Sequence, residues 1–146
     1  MQNLVIVGLG KVGSLVGLLL HKQFTVSGFD QKKPQGELPF PVHIGSVSDA
    51  AALHEALKDA DGVVSCLPYN LNLPVAQIAH QLGIHYFDLT EDVPTTEAIR
   101  EMAKTAKGVM APQCGLAPGL IGIVGSDLAK RFDRLRDIEL RVGALP

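Results

Sequence analysis

Along this chain, short apolar runs alternate with segments in which apolar residues recur every three or four positions. The runs at residues 3–7, 24–30, 42–44, 62–67, 84–89, 109–111 and 138–142 read as seven strands. Helical segments are expected at residues 12–21, 50–58, 74–82, 95–107 and 118–132. In the first helix Leu15, Val16, Leu19 and Leu20 form the stripe expected to face the core; in the second, Leu53, Ala56 and Leu57 do so. Ser48 or Asp49 is placed to cap the second helix, Pro74 stands in the first turn of the third, and Gly83 and Gly108 close the third and fourth. Residues 31–41 hold three prolines and a glycine and read as a loop. Continuously apolar strands separated by helices predict an α/β fold in one domain: a doubly wound, mostly parallel sheet covered on both faces.

Composition narrows this picture. The chain has 146 residues, 47% of them hydrophobic, which is one domain's length with enough apolar surface for a packed core. A formal charge of −2 gives no footing for nucleic acid or for an anionic membrane surface. No apolar run reaches the roughly 20 residues that span a bilayer. Cys66 and Cys114 stand far apart and outside any metal-ligand spacing, so no metal site is expected and a reducing, cytoplasmic location is. With 5% aromatic residues and no Trp, a platform for stacking sugars or bases is not expected. Both signs alternate in residues 130–137, which fits a solvated helix end and connection.

The candidate chemistry begins at the first strand. Gly8, Gly10 and Gly13 form a Gly-x-Gly-x-x-Gly turn between that strand and the first helix, and the second strand ends on Asp30. Strand, glycine turn, helix, strand and acid, with the acid about 20 residues on, is the layout of a dinucleotide-binding unit of Rossmann type. Gly8 allows the sharp turn, Gly10 lets backbone approach a pyrophosphate, and Gly13 lets helix and strand pack closely. The free N–H groups around Lys11 and Val12 then face the phosphates at the positive end of the helix dipole. A carboxylate at Asp30 accepts the ribose hydroxyls of NAD and repels the 2′-phosphate of NADP, so NAD is favoured. Lys32 and Lys33 pull the other way, as cations able to attract that phosphate.

In an open α/β sheet ligands sit beyond the carboxyl ends of the strands. Three such ends carry unusual residues: Pro68-Tyr69-Asn70, Asp88-Leu89-Thr90-Glu91-Asp92, and Gln113-Cys114-Gly115-Leu116-Ala117-Pro118-Gly119. Val63-Val64-Ser65-Cys66-Leu67-Pro68-Tyr69, Tyr86-Phe87-Asp88-Leu89-Thr90-Glu91-Asp92, Gly115-Leu116-Ala117-Pro118-Gly119 and the closing Val142-Gly143-Ala144-Leu145-Pro146 resemble the saccharopine dehydrogenase family, including its saccharopine-reductase and lysine-dehydrogenase-like members. The resemblance covers nearly the whole chain. Its most specific part is Gly-Leu-x-Pro-Gly followed by Gly-x-Leu-Pro.

The resemblance implies the NAD(P)-binding domain of an oxidoreductase acting at a carbon–nitrogen bond of an amino acid or secondary-amine conjugate. It implies that Leu67, Pro68 and Tyr69 line the nicotinamide side and that residues 115–119 lie near the substrate. Ala117 stands where saccharopine reductases often carry an acid, which argues against saccharopine itself. Family members are longer, so a substrate and dimerisation domain is expected after residue 146, with a homodimer in the full-length form. Amine oxidation needs a base; Asp88, at the fifth strand's end, is the candidate, against a purely turn-capping role. Glu91 and Asp92 read as loop acids or helix caps, Cys114 as a small residue beside a glycine turn. The beginning of the chain is also similar to the cytoplasmic NAD(H)-sensing domains that gate potassium transport, a non-enzymatic alternative that gives no reason for the motifs of the second half.

Overall fold

The computed structural model describes residues 1–143. The elements run β1 (Asn3–Val7), α1 (Lys11–Leu20), β2 (Thr25–Asp30), β3 (Val42–Ile44), α2 (Ala50–Leu57), β4 (Gly62–Ser65), a 3-10 turn (Tyr69–Leu71), α3 (Asn72–Leu82), β5 (His85–Asp88), α4 (Val93–Ala103), β6 (Met110–Ala111) and α5 (Leu120–Ala129). The six strands form one parallel sheet in the order β3-β2-β1-β4-β5-β6. The order reverses between β1 and β4, and the carboxyl ends of those two strands open the crevice where such sheets take ligands.

Alternation along β1 and β4 divides the core in two. Val5, Val7 and Val63 point into the larger cluster, with Leu53 and Leu57 of α2, Val75, Ala76 and Ala79 of α3, Tyr86, and Ile99 of α4. The three helices lie side by side, α2 on α3 and α3 on α4. Asp49 starts this layer by accepting the N–H groups of Ala51 and Ala52 at 3.1 and 3.0 Å, and Gly83 ends α3 in the left-handed region at φ 73°. On the other face Ile6, Leu9, Val26 and Phe40 make a smaller cluster beneath α1.

Three expectations need correcting. Leu15 and Leu19 are 56% and 57% exposed, not buried. The face α1 turns to the sheet is Gly13 and Gly17, with Val16 and Leu20 half-buried beside them. The helix lies so close that a Cβ on Gly17 would come within 2.5 Å of the Phe40 ring. The leucines that a periodicity argument places inside are therefore displaced to the flanks. Secondly, residues 138–142 form no strand: they are irregular and Ile138, Leu140 and Val142 are exposed. A strand needs a ladder partner, and the edge strand β6 is only two residues long. Leu140 instead lies against Gly125 of α5. Thirdly, α4 starts two residues early, at Val93, because Asp92 caps it by accepting the Thr95 N–H at 2.9 Å, and it ends at Ala103 with Lys104 as its C-cap, so Gly108 does not close it. The closing residues 144–146, part of the expected Gly-x-Leu-Pro motif, lie outside the described residues.

Candidate functional site

Two of the three glycines in the turn are required by the fold, each for a different reason. Gly8 has φ +87°, and its N–H donates to the Phe29 carbonyl at 2.9 Å. A Cβ there would meet Leu67 Cδ2 at 2.8 Å and the Cys66 carbonyl at 3.0 Å. A Cβ on Gly13 would stand 1.8 Å from the Gly8 carbonyl oxygen, so strand end and helix touch through backbone alone. Gly10 differs from both. Its φ of −67° is open to any residue, and a Cβ added to it would meet no protein atom within 4 Å. The fold demands glycine at 8 and 13; at 10 it does not, and the space beyond Gly10 is open. Lys11 and Val12, the first residues of α1, are both exposed at that opening.

Asp30 is tied to the same turn. Its Oδ2 accepts the Leu9 N–H at 2.5 Å and its Oδ1 the Lys32 N–H at 2.9 Å, so the acid at the end of β2 also holds the loop between Gly8 and Gly10. Beside it lies a cavity of about 130 Å³ lined by Phe29, Asp30, Gln31, Lys32, Gly45, Val47 and Leu67. Sequence reasoning missed Gln31, Gly45 and Val47. The available signal was that Gly45 directly follows β3, at the same sheet edge as Asp30. The side chains of Lys32 and Lys33 are exposed. A larger hollow of about 710 Å³, with Thr25, Ser27 and His43 in its wall, does not adjoin the glycine turn.

Leu67, Pro68 and Tyr69 follow β4 at the same edge. Leu67 is half-buried; Pro68 and Tyr69 are exposed, Tyr69 at the start of the 3-10 turn. Cys66 lies under α1, and burial pushes its thiol up to about 11. It is a core thiol, protonated at neutral pH.

Asp88 is placed otherwise than a free base would be. It is fully buried at the end of β5. Tyr86 Oη donates to its Oδ2 at 2.7 Å, and the Thr90 and Gln113 N–H groups donate to its Oδ1 at 2.8 and 3.2 Å. Burial, with the Asp88 carboxylate beside it, pushes the Tyr86 hydroxyl well above the usual phenol range. The connector continues by the same device: Thr90 Oγ1 accepts the Asp92 N–H at 3.1 Å, and Asp92 accepts from Thr95. Ser65 Oγ donates to Asn72 Oδ1 at 2.6 Å, whereas Asn72 Nδ2 is buried without a partner. Burial and the Asp88 charge raise the Cys114 thiol. Among the described residues no three His, Cys, Asp or Glu side chains gather closely enough to hold a metal ion, and no helix is long and apolar enough to cross a membrane.

The model of the saccharopine dehydrogenase NADP binding domain matches residues 4–111, from β1 through β6. The chain belongs to the saccharopine dehydrogenase family. Among solved structures, apo saccharopine dehydrogenase (L-Glu forming) from Saccharomyces cerevisiae superposes with a TM-score of 0.68 at 22% identity, covering 89% of this chain and 31% of the yeast chain. This chain thus corresponds to less than a third of that enzyme's length. A Rossmann-fold NAD(P)-binding family protein from Shigella flexneri gives a TM-score of 0.56 at 16% identity, over 77% of this chain and 66% of its own. A short-chain dehydrogenase/reductase from Veillonella parvula in complex with NADP gives 0.51 at 10% identity, over 71% and 63%. At these identities the structures establish the shared doubly wound fold. Family membership makes this chain an NAD(P)-binding domain of dehydrogenase type.

Proposed function

We propose that this chain supplies the nicotinamide-dinucleotide half of an oxidoreductase that moves hydride between the cofactor and a carbon–nitrogen bond of an amino acid or secondary-amine conjugate. One observation carries the reading. Gly10 is a glycine the protein itself does not need, at the mouth of α1, facing open space. A pyrophosphate brought against that backbone meets the free N–H groups of the first helical turn and the positive end of the helix dipole. The ribose then reaches Asp30, with the adenine in the cavity bounded by Gly45 and Val47. On this reading Lys11 and Val12 border the phosphates, and Leu67, Pro68 and Tyr69 the nicotinamide.

NAD is the preferred form. The Asp30 carboxylate would face the 2′-phosphate of NADP directly, whereas Lys32 and Lys33 are exposed and less constrained in position. The family match supports a dehydrogenase over a potassium-transport sensor. The reading carries with it a small amino-acid substrate, a homodimer in the full-length form and a cytoplasmic location.

Titration of the protein with NADH and NADPH, followed by nicotinamide fluorescence, tests the binding. NADH is expected to bind at least tenfold more tightly than NADPH. In Gly10→Ala the added methyl enters open space, so the melting temperature should stay within a few degrees while NADH affinity falls at least tenfold. A variant that binds NADH like the wild type, or a wild type that binds neither form, overturns the proposal.

A further inference from the structure

We propose that Asp88 is a positioning residue: its buried carboxylate, held by Tyr86, fixes the left-handed bend at Gln113 and so sets the loop from Cys114 to Gly119 across the carboxyl end of β5. Three segments converge on it. Its Oδ1 takes the N–H groups of Thr90 and Gln113, and its Oδ2 takes the Tyr86 hydroxyl. Its backbone carbonyl takes the Cys114 N–H at 2.7 Å.

The loop needs such a hold. Gln113 has φ 66°, the one non-glycine with positive φ among the described residues. A residue in that region persists only where its surroundings over-determine it. Asp88 binds the N–H on each side of the strained Cα. Beyond the bend, Gly115 sits against the Leu89 carbonyl, where a Cβ would come within 3.2 Å, and its own carbonyl accepts the Leu120 N–H at 2.9 Å. Residue 88 therefore controls where the loop leaves β6 and where α5 begins.

The charge is dispensable in this role. An Asn at 88 can present its oxygen to the two backbone N–H groups and its amide to Tyr86 Oη, which then donates to the Asn72 carbonyl, now 3.4 Å away. An Ala can do neither. A proton-accepting role makes the opposite demand: it needs the carboxylate itself and a path to it, and Asp88 is fully buried.

Amide hydrogen exchange on the full chain separates these roles. The Cys114 and Leu120 N–H groups keep their own backbone acceptors in every variant, so their exchange reports the loop's position. In Asp88→Ala both are expected to exchange at least tenfold faster, while the Gly8 and Cys66 amides, bonded to Phe29 and Val7 carbonyls, stay within twofold. In Asp88→Asn the Cys114 and Leu120 amides are expected within about twofold of wild type. Unchanged Cys114 and Leu120 exchange in Asp88→Ala overturns the proposal, as does an Asp88→Asn loop as loose as that of Asp88→Ala. If Asp88→Ala unfolds and the Gly8 and Cys66 amides lose protection too, Asp88→Asn alone decides by the same criterion. The exchange result does not depend on the cofactor reading. NADH titration of the same samples keeps the two apart, because a wild type that binds no NADH counts against the proposed function and leaves the loop result standing.

Discussion

On one face of the sheet, three helices lay Leu53, Leu57, Val75 and Ile99 against Val5, Val7 and Tyr86, all buried. On the other, one helix sets Gly13 against the Gly8 carbonyl and Gly17 against the Phe40 ring, packs Val16 and Leu20 beside them, and leaves Val12, Leu15, Leu18 and Leu19 exposed. The first face is packed by side-chain volume and gains stability from apolar burial. The second has a smaller side-chain cluster and a close approach at two glycines, and at Gly13 backbone meets backbone, which holds the first turn of α1 hard against the end of β1. On the proposed dinucleotide reading, helix N–H groups come within reach of a phosphate only by an approach that a side chain at 13 would prevent, and Leu15 and Leu19 stand exposed on the flanks.

The sharpest way to break this comparison is to remove volume from the three-helix face. Ile99→Ala, at a fully buried position, is expected to cost about 2–5 kcal/mol in urea unfolding and to leave NADH affinity unchanged in the fraction that remains folded. The next effect adds volume to the glycine face. Gly17→Val places atoms where the Phe40 ring now stands, and an overpacking cost of about 1–3 kcal/mol is expected by the same measurement, with weaker NADH binding as α1 is pushed outward. A volume change on either face would then be felt, but only one would reach the cofactor.

The exposed flank should behave as surface. Leu15→Ser and Leu19→Ser are each expected within about 0.5 kcal/mol of wild type. A loss of several kcal/mol from either in unfolding experiments would mean that α1 is packed in solution through its leucines after all.

The smallest effect belongs to the strand-end connections, which neither face supplies. Asp61 accepts the Asn3 and Gln2 N–H groups, and Asp92 accepts from Thr95; these bonds hold both carboxyls below the usual carboxylate value of 3.8. A lowered pKa gives stability that is present above the ordinary value and lost as pH falls through the lowered one. The melting temperature should therefore change little from pH 7 to 5 and drop below about pH 4. Asn caps a helix as well as Asp does, so Asp92→Asn should melt like wild type near neutrality and show a shallower acid drop.

Much of the site was legible in the chain because its markers are local. Gly8 and Gly13 announce a turn only glycine can make, and Asp30, at the end of the next apolar run, lies where a right-handed crossover must put it. Six of the seven expected strands, the cap at Asp49 and the left-handed stop at Gly83 follow from residue type and spacing. The order of the six strands came from the assembled sheet, because the crossover rules leave more than one doubly wound order open. What the spacing could not give were quantities that depend on distance between elements: that Leu15 and Leu19 face outward, that residues 138–142 find no ladder, that Asp30 also clasps Leu9, and that Gly45 and Val47 wall the cavity beside it.

Sequence by itself determined the class of fold, the position of the glycine turn and the family, since periodicity and glycine conformations are properties of a few neighbouring residues. Only the tertiary structure decided which face of α1 is buried and that Asp88 is enclosed by Tyr86, Thr90 and Gln113, residues separated by up to 25 positions from it. Burial and hydrogen-bond satisfaction belong to the assembled layers, and no local pattern in the chain encodes how closely one layer approaches the next.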